Sequence, residues 1–111
     1  MKVEDIKFQS AQHVLDEIYN MNVKGGSPFG RAAAWAYKLA CEQEALDSFD
    51  ALEARMQELS DKLHELEPTM ATIRNSSVFA RGAFDCAKKS GATLEETKTQ
   101  IIATCDRIIE S

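Results

Sequence analysis

The stretch Lys24-Gly25-Gly26-Ser27-Pro28 has the residue types and spacing best suited to binding chemistry. Two glycines let a backbone approach a ligand closely and take conformations closed to other residues. Ser27-Pro28 reads as a helix start, because serine caps the first free amides and proline suits the first helical position, having no amide to leave unsatisfied. The free amides and partial positive charge of a helix N-terminus, with the full charge of Lys24, suit a phosphate. A plain helix-helix turn with good capping accounts for the same residues. The spacing is not that of a nucleotide P-loop.

Other reactive side chains are scattered. His13 and His64 lie about fifty residues apart on different helices and form no motif of the HExxH kind, so no metal site is expected. Glu42, Glu44, Glu53, Glu58, Asp61, Glu65 and Glu67 fall on polar helix faces, where solvation explains them without acid-base catalysis. Cys41, Cys86 and Cys105 are an odd number without CxxC spacing, which fits buried, reduced thiols rather than disulfides or zinc. Cys86 and Cys105 are the intrinsic nucleophile candidates, but both read as apolar-face positions. No nucleophile has an adjacent base and a third orienting group. No catalytic residue and no cofactor is expected.

These residues are carried by helices. Ile6, Val14, Leu15 and Ile18 recur at helical spacing, predicting a first helix from about Val3 to Met21, ended by Asn20, Asn22 and the two glycines. The alanine-rich run from Arg31 to Ala40 is helical on propensity alone, and its small residues let another helix approach closely. Leu52, Met56, Leu59, Leu63 and Leu66 form the seam of a third helix starting near Ser48 or Asp50 and stopped by Pro68. That seam suits a core, and could also serve a dimer. A fourth helix from about Thr69 carries Met70, Ile73, Phe79, Ala83 and Ala87 and ends at Gly91, with Gly82 weakening it and marking a close contact. Thr93-Leu94-Glu95-Glu96 fits a capping box before a last helix with Leu94, Ile101, Ile102, Cys105, Ile108 and Ile109 as its apolar stripe. The expectation is an all-α, compact bundle of about five helices in a single domain over residues 1–111, with Trp35, Leu39, Leu59, Leu63, Ile101 and Ile108 in its core.

Bulk properties narrow the partners. A chain of 111 residues suits one core, and 44% hydrophobic with 28% charged residues is a globular rather than a disordered mixture. A net charge of −5 argues against nucleic acid and membrane surfaces, which need an excess of Lys and Arg. No apolar run approaches the length of a membrane span, and the start MKVEDIKFQS has acidic residues where a signal peptide would be apolar, so a cytoplasmic location is expected.

The residues from Ile18 to Ser27, followed by Arg31 to Tyr37 with its three alanines and Trp35, resemble the N-terminal helical domain of a known family. It comprises ribose-1,5-bisphosphate isomerase, methylthioribose-1-phosphate isomerase and the translation initiation factor 2B subunits (alpha, beta and delta). Leu66-Glu67-Pro68-Thr69 is similar to that family's Arg-Pro-Thr turn, and Ser90 to Leu94 to the turn before its next helix. The resemblance covers nearly the whole chain from Ile18 onward and lies in the order and spacing of these motifs. It implies a helical domain beside a larger Rossmann-like domain, with a loop that helps hold the substrate phosphate. By resemblance, that loop is Lys24, Gly25, Gly26 and Ser27. The family's catalytic cysteine and aspartate belong to the larger domain, which is expected to be absent from a chain ending at Ser111. Cys86 and Cys105 are not their counterparts. Two residues depart from the family pattern. Lys24 stands for an arginine, keeping charge but losing two-pronged hydrogen bonding. Glu67 also replaces an arginine, and its reversed charge would repel a phosphate.

Three readings follow. The leading one is a domain that is not an enzyme by itself and acts as a binding or assembly module. The second is a fragment or subunit contributing a phosphate loop to a ribose-1,5-bisphosphate isomerase-type active site completed by another chain. The third is a free-standing helical adaptor. The expected partners are a protein or further copies of the chain, with a weak phosphate or sugar-phosphate ligand, and neither nucleic acid nor membrane. Glu67 favours the first and third readings over the second.

Overall fold

Where Thr93 meets Glu96, the amide of Thr93 donates to Glu96 Oε1 at 2.9 Å and the amide of Glu96 donates to Thr93 Oγ1 at 3.2 Å, closing the capping box read from the sequence. The computed structural model describes residues 8–20, 26–66 and 71–110, with backbone alone at 26–29 and 71–74. The described residues form five helices: α1 (Ala11–Tyr19), α2 (Gly26–Gln43), α3 (Phe49–Leu66), α4 (Ala71–Lys89) and α5 (Leu94–Glu110). Among the described residues there is no strand, and no helix is long and apolar enough to cross a membrane.

The ends are set by local hydrogen bonding. Ser48 caps α3, its hydroxyl accepting from the Ala51 amide at 3.1 Å. Gly91, at φ +80°, ends α4: its amide reaches Lys88 O at 3.2 Å, and the Ala92 amide reaches Ala87 O at 3.0 Å. That paired arrangement needs a left-handed residue, which glycine adopts without strain. The proline stop at Pro68 and the start at Thr69 lie outside the described residues.

The first helix is shorter than its periodicity predicts. Phe8 to Ser10 are not helical, and α1 begins at Ala11. Ser10 is extended (φ −162°) and its hydroxyl accepts the His13 amide at 3.0 Å, while the Gln9 amide donates to His13 Nδ1 at 3.1 Å. The serine supplies a partner for one of the amides left free at the helix start, and so lets the chain leave the helix at Ser10. At the other helix expected to be capped by serine, α2 begins at Gly26, two residues before the expected first position Pro28, so Ser27 lies within the first turn instead of capping it.

α2 is the central helix and touches all four others. Its alanines explain how: Ala32, Ala33, Ala34 and Ala36 are fully buried, so neighbouring backbones pack directly against it. The α3 seam of Leu52, Met56, Leu59 and Leu63 is buried in this chain's own core. Leu39, Leu59, Leu63 and Ile101 are core residues as expected, whereas Trp35 and Ile108 are only partly buried against it. Trp35 sits at the rim, with Phe8 beside it at 6.1 Å between ring centroids and Lys38 Nζ 4.8 Å above it. Large amphipathic rings commonly take such positions. The central aromatic is Tyr37, which is fully buried and donates to Ser77 Oγ at 2.7 Å.

Phe79 also departs from the sequence reading. It is 59% exposed, and the face of α4 that enters the core carries Ala80, Phe84 and Ala87. Gly82 does not mark a close contact within the chain, since a Cβ built there would meet nothing within 4 Å.

Candidate phosphate-binding end of the bundle

The N-terminal turns of α2 and α4 stand side by side. Ser76, buried in α4, donates from its hydroxyl to Gly30 O of α2 at 2.8 Å. The C-terminal halves of α1 and α3 meet as well, enclosing a cleft of about 430 Å³ between Gln12, Asp16 and Tyr19 on one side and Lys62, Glu65 and Leu66 on the other.

Of the four sequence-predicted site residues, Gly26 and Ser27 form the first two positions of α2. The free amides of that first turn carry the helix's partial positive charge. Lys24 and Gly25 lie outside the described residues, as does Glu67.

Lys62 is a cation at this end that sequence reasoning missed. On the α3 periodicity it belongs to the polar face, and only the packing of α3 against α1 brings it to the mouth of the cleft. It does not make the cleft a strong anion site. Asp16 and Glu65 line the same space, and the Gln12 side-chain amide donates to Asp16 Oδ1 at 3.0 Å instead of pointing freely inward. One lysine against two carboxylates leaves the described part of the cleft net negative.

The other candidates are accounted for structurally. His13 Nε2 lies 3.0 Å from Glu17 Oε1 on the same helix, and among the described residues no group of three or more His, Cys, Asp or Glu side chains could hold a metal ion. Arg55 ties the start of α3 back to the end of α2, with Nε 2.8 Å and Nη2 3.1 Å from the two oxygens of Glu44, and it also pairs with Glu58. Lys38 of α2 bonds Asp106 of α5 at 2.6 Å. Cys41 and Cys105 are buried, and loss of hydration pushes both thiols up to about 12, so they stay protonated and unreactive. Cys86, by contrast, is exposed, correcting the expectation that all three thiols are buried. Burial likewise raises the Tyr37 phenol above its ordinary value, against the opposing effect of its hydrogen bonds with Ser77 and Ser60. None of these groups forms an acid, base and nucleophile set.

No family model matches the chain. Ribose 1,5-bisphosphate isomerase from Thermococcus kodakarensis is 26% identical over 98 residues, a match covering 88% of this chain and 30% of that enzyme. Methylthioribose-1-phosphate isomerase from Geobacillus thermodenitrificans is 27% identical over 105 residues, covering 95% of this chain and 28% of the enzyme. The chain thus spans less than a third of the length of either relative. The chain is all-helical among its described residues and has weak homology to part of two isomerases.

Proposed function

We propose that the chain is a non-catalytic helical binding and assembly domain, similar to the N-terminal domain of the ribose-1,5-bisphosphate isomerase, methylthioribose-1-phosphate isomerase and initiation factor 2B family. Residues 24–27 form its weak phosphate contact. The observation that carries this reading is the Ser76–Gly30 bond, which sets the first turn of α2 beside the first turns of α4. In the family arrangement the turn corresponding to Glu67 lies beside that loop, where its negative charge would oppose an anion at Lys24, Gly25, Gly26 and Ser27. The match of most of this chain to isomerases whose names specify phosphorylated ribose compounds supports the choice of ligand. Absence of an assembled acid, base and nucleophile among the described residues supports a role in binding.

The second reading, a phosphate loop lent to an isomerase active site completed by another chain, is favoured by the same helix N-terminus and opposed by Glu67. One lysine and a helix end are worth about 1–2 kcal/mol at a partly exposed site, so phosphate binding alone is weak. Titration with inorganic phosphate, followed by backbone amide shifts in NMR spectra, tests the site. Shifts over residues 25–30 are expected, larger in Glu67→Arg, smaller in Lys24→Ala, and diminished by salt. Unmoved amides in both the native chain and Glu67→Arg would reduce the loop to a plain turn. Purified chain offered ribose-1,5-bisphosphate or methylthioribose-1-phosphate should give no turnover. Turnover that co-purifies with the chain and is altered by Lys24→Ala would overturn the non-catalytic reading.

A further inference from the structure

We infer that the open face of α4 and α5 is a self-association surface, on which a second copy of this chain packs its α4 antiparallel to the first. Val78 and Phe79 are 62% and 59% exposed and stand on the rim of a groove of about 540 Å³ between the two helices. Gly82, Ala83 and Cys86 form its α4 wall, and Ala103 and Thr104 its α5 wall. A large apolar knob and a shallow hole lined by small side chains therefore share one face. Gly82 is an independent sign. A glycine inside a helix weakens it relative to alanine, and nothing among the described residues needs the space, because a Cβ there would meet none of their atoms within 4 Å. Its small size is useful to something that approaches from outside.

Self-complementarity selects a second copy as that partner. In a two-fold arrangement with antiparallel α4 helices crossing at Gly82 and Ala83, Phe79 of each copy lies over Cys86 of the other. Each knob then meets the other's hole, as an isologous contact requires. The charges agree. The groove lining contains no carboxylate, although the chain carries a net charge of −5, so this is a face where two acidic molecules can meet without apposing acids. Its one charged lining residue, Arg107, stands at the Phe79 end of the groove, away from the crossing point. The two-fold therefore keeps the two arginines apart and turns each toward the end that carries Gln100 of the other copy. This inference shares with the proposed function only the assembly role. The phosphate titration and the association measurement vary independently, so either can fail alone.

Light scattering across a concentration series is the test. The native chain should approach twice its 12.3 kDa mass. Phe79→Glu and Gly82→Leu should both remain monomeric. Both positions are exposed, and Gly82→Leu strengthens helix propensity, so neither change should disturb the fold, as circular dichroism will check. Phe79→Cys adds a direct readout. Residues 79 and 86 lie about 10 Å apart along one helix, too far for a disulfide within the chain. Mild oxidation with diamide should thus give a disulfide-linked dimer, and further substitution of Cys86→Ser should abolish it. A native chain that stays monomeric at millimolar concentration would overturn the inference. So would a dimer that survives both Phe79→Glu and Gly82→Leu.

Discussion

Small side chains line two faces of this molecule, with opposite outcomes. On α2, Ala32, Ala33, Ala34 and Ala36 are fully covered by the surrounding helices. On α4, Gly82, Ala83 and Cys86 line a groove with α5 that is open to solvent, with Phe79 exposed at its rim. The composition of the two stretches is similar, and both would let a helix approach closely. What distinguishes them is whether this chain supplies that helix. Among the described residues, four helices do so for α2, and none beyond α5 does so for the outer face of α4. A row of small residues is thus a statement about a neighbour, and the neighbour need not be in the same chain.

This contrast can be broken by substitution, and the covered side should respond most. Leu63→Ala removes a fully buried side chain where α3 packs in the core and should destabilise the chain by about 2–5 kcal/mol in urea unfolding, through lost burial and the cavity left behind. Ala33→Leu adds volume where none is free and should cost about 1–3 kcal/mol by overpacking. Gly82→Ala should have the opposite sign. It is expected to stabilise the monomer by about 1 kcal/mol through helix propensity, measured by urea unfolding at a concentration too low for association. A destabilising Gly82→Ala, or a harmless Ala33→Leu, would end the distinction between the two faces.

The start of α5 provides a control that belongs to neither face. Thr93→Ala should cost about 1 kcal/mol in thermal unfolding by removing one half of the capping box. Glu96 gives the smallest effect. Bonds from the Thr93 amide, and then from its hydroxyl, hold the Glu96 carboxyl below its ordinary value of 4.5. A carboxylate depressed in the folded state stabilises it above the unfolded value, and that contribution is lost as pH falls through the lowered folded value. Thermal melts carried from neutral pH into this acid range should therefore decline less steeply in Glu96→Gln than in the native chain.

Much of the architecture was legible as local chemistry. The Thr93–Glu96 box, the Ser48 cap and the Gly91 stop depend on residues within a few positions of one another, so spacing alone predicts them. The α3 seam was equally readable, because a regular four-three repeat can bury only one face. The start of α1 was not, because periodicity registers which side chains are apolar and is blind to the Ser10 hydroxyl taking an amide from the helix. Of the candidate site, residues 24–27 and the charge at Glu67 are readings of the sequence, whereas Lys62 was not legible there, because its place depends on α1 and α3 meeting.

By itself, then, the sequence determined the helical class and the ends at Ser48, Gly91 and Thr93, because these follow from propensity, capping and apolar spacing within each segment. Tertiary structure alone decided which apolar face of each helix is covered. Phe79 and Phe84 stand on one helix and are equally hydrophobic, yet one is 59% exposed and the other 3%. Phe49 of α3 meets the Phe84 ring at 6.2 Å, whereas Phe79 projects from the side of α4 that faces the open groove. The direction in which α3 and α5 cross α4 fixes that difference, and it is a relation between segments distant in sequence that no single helix encodes.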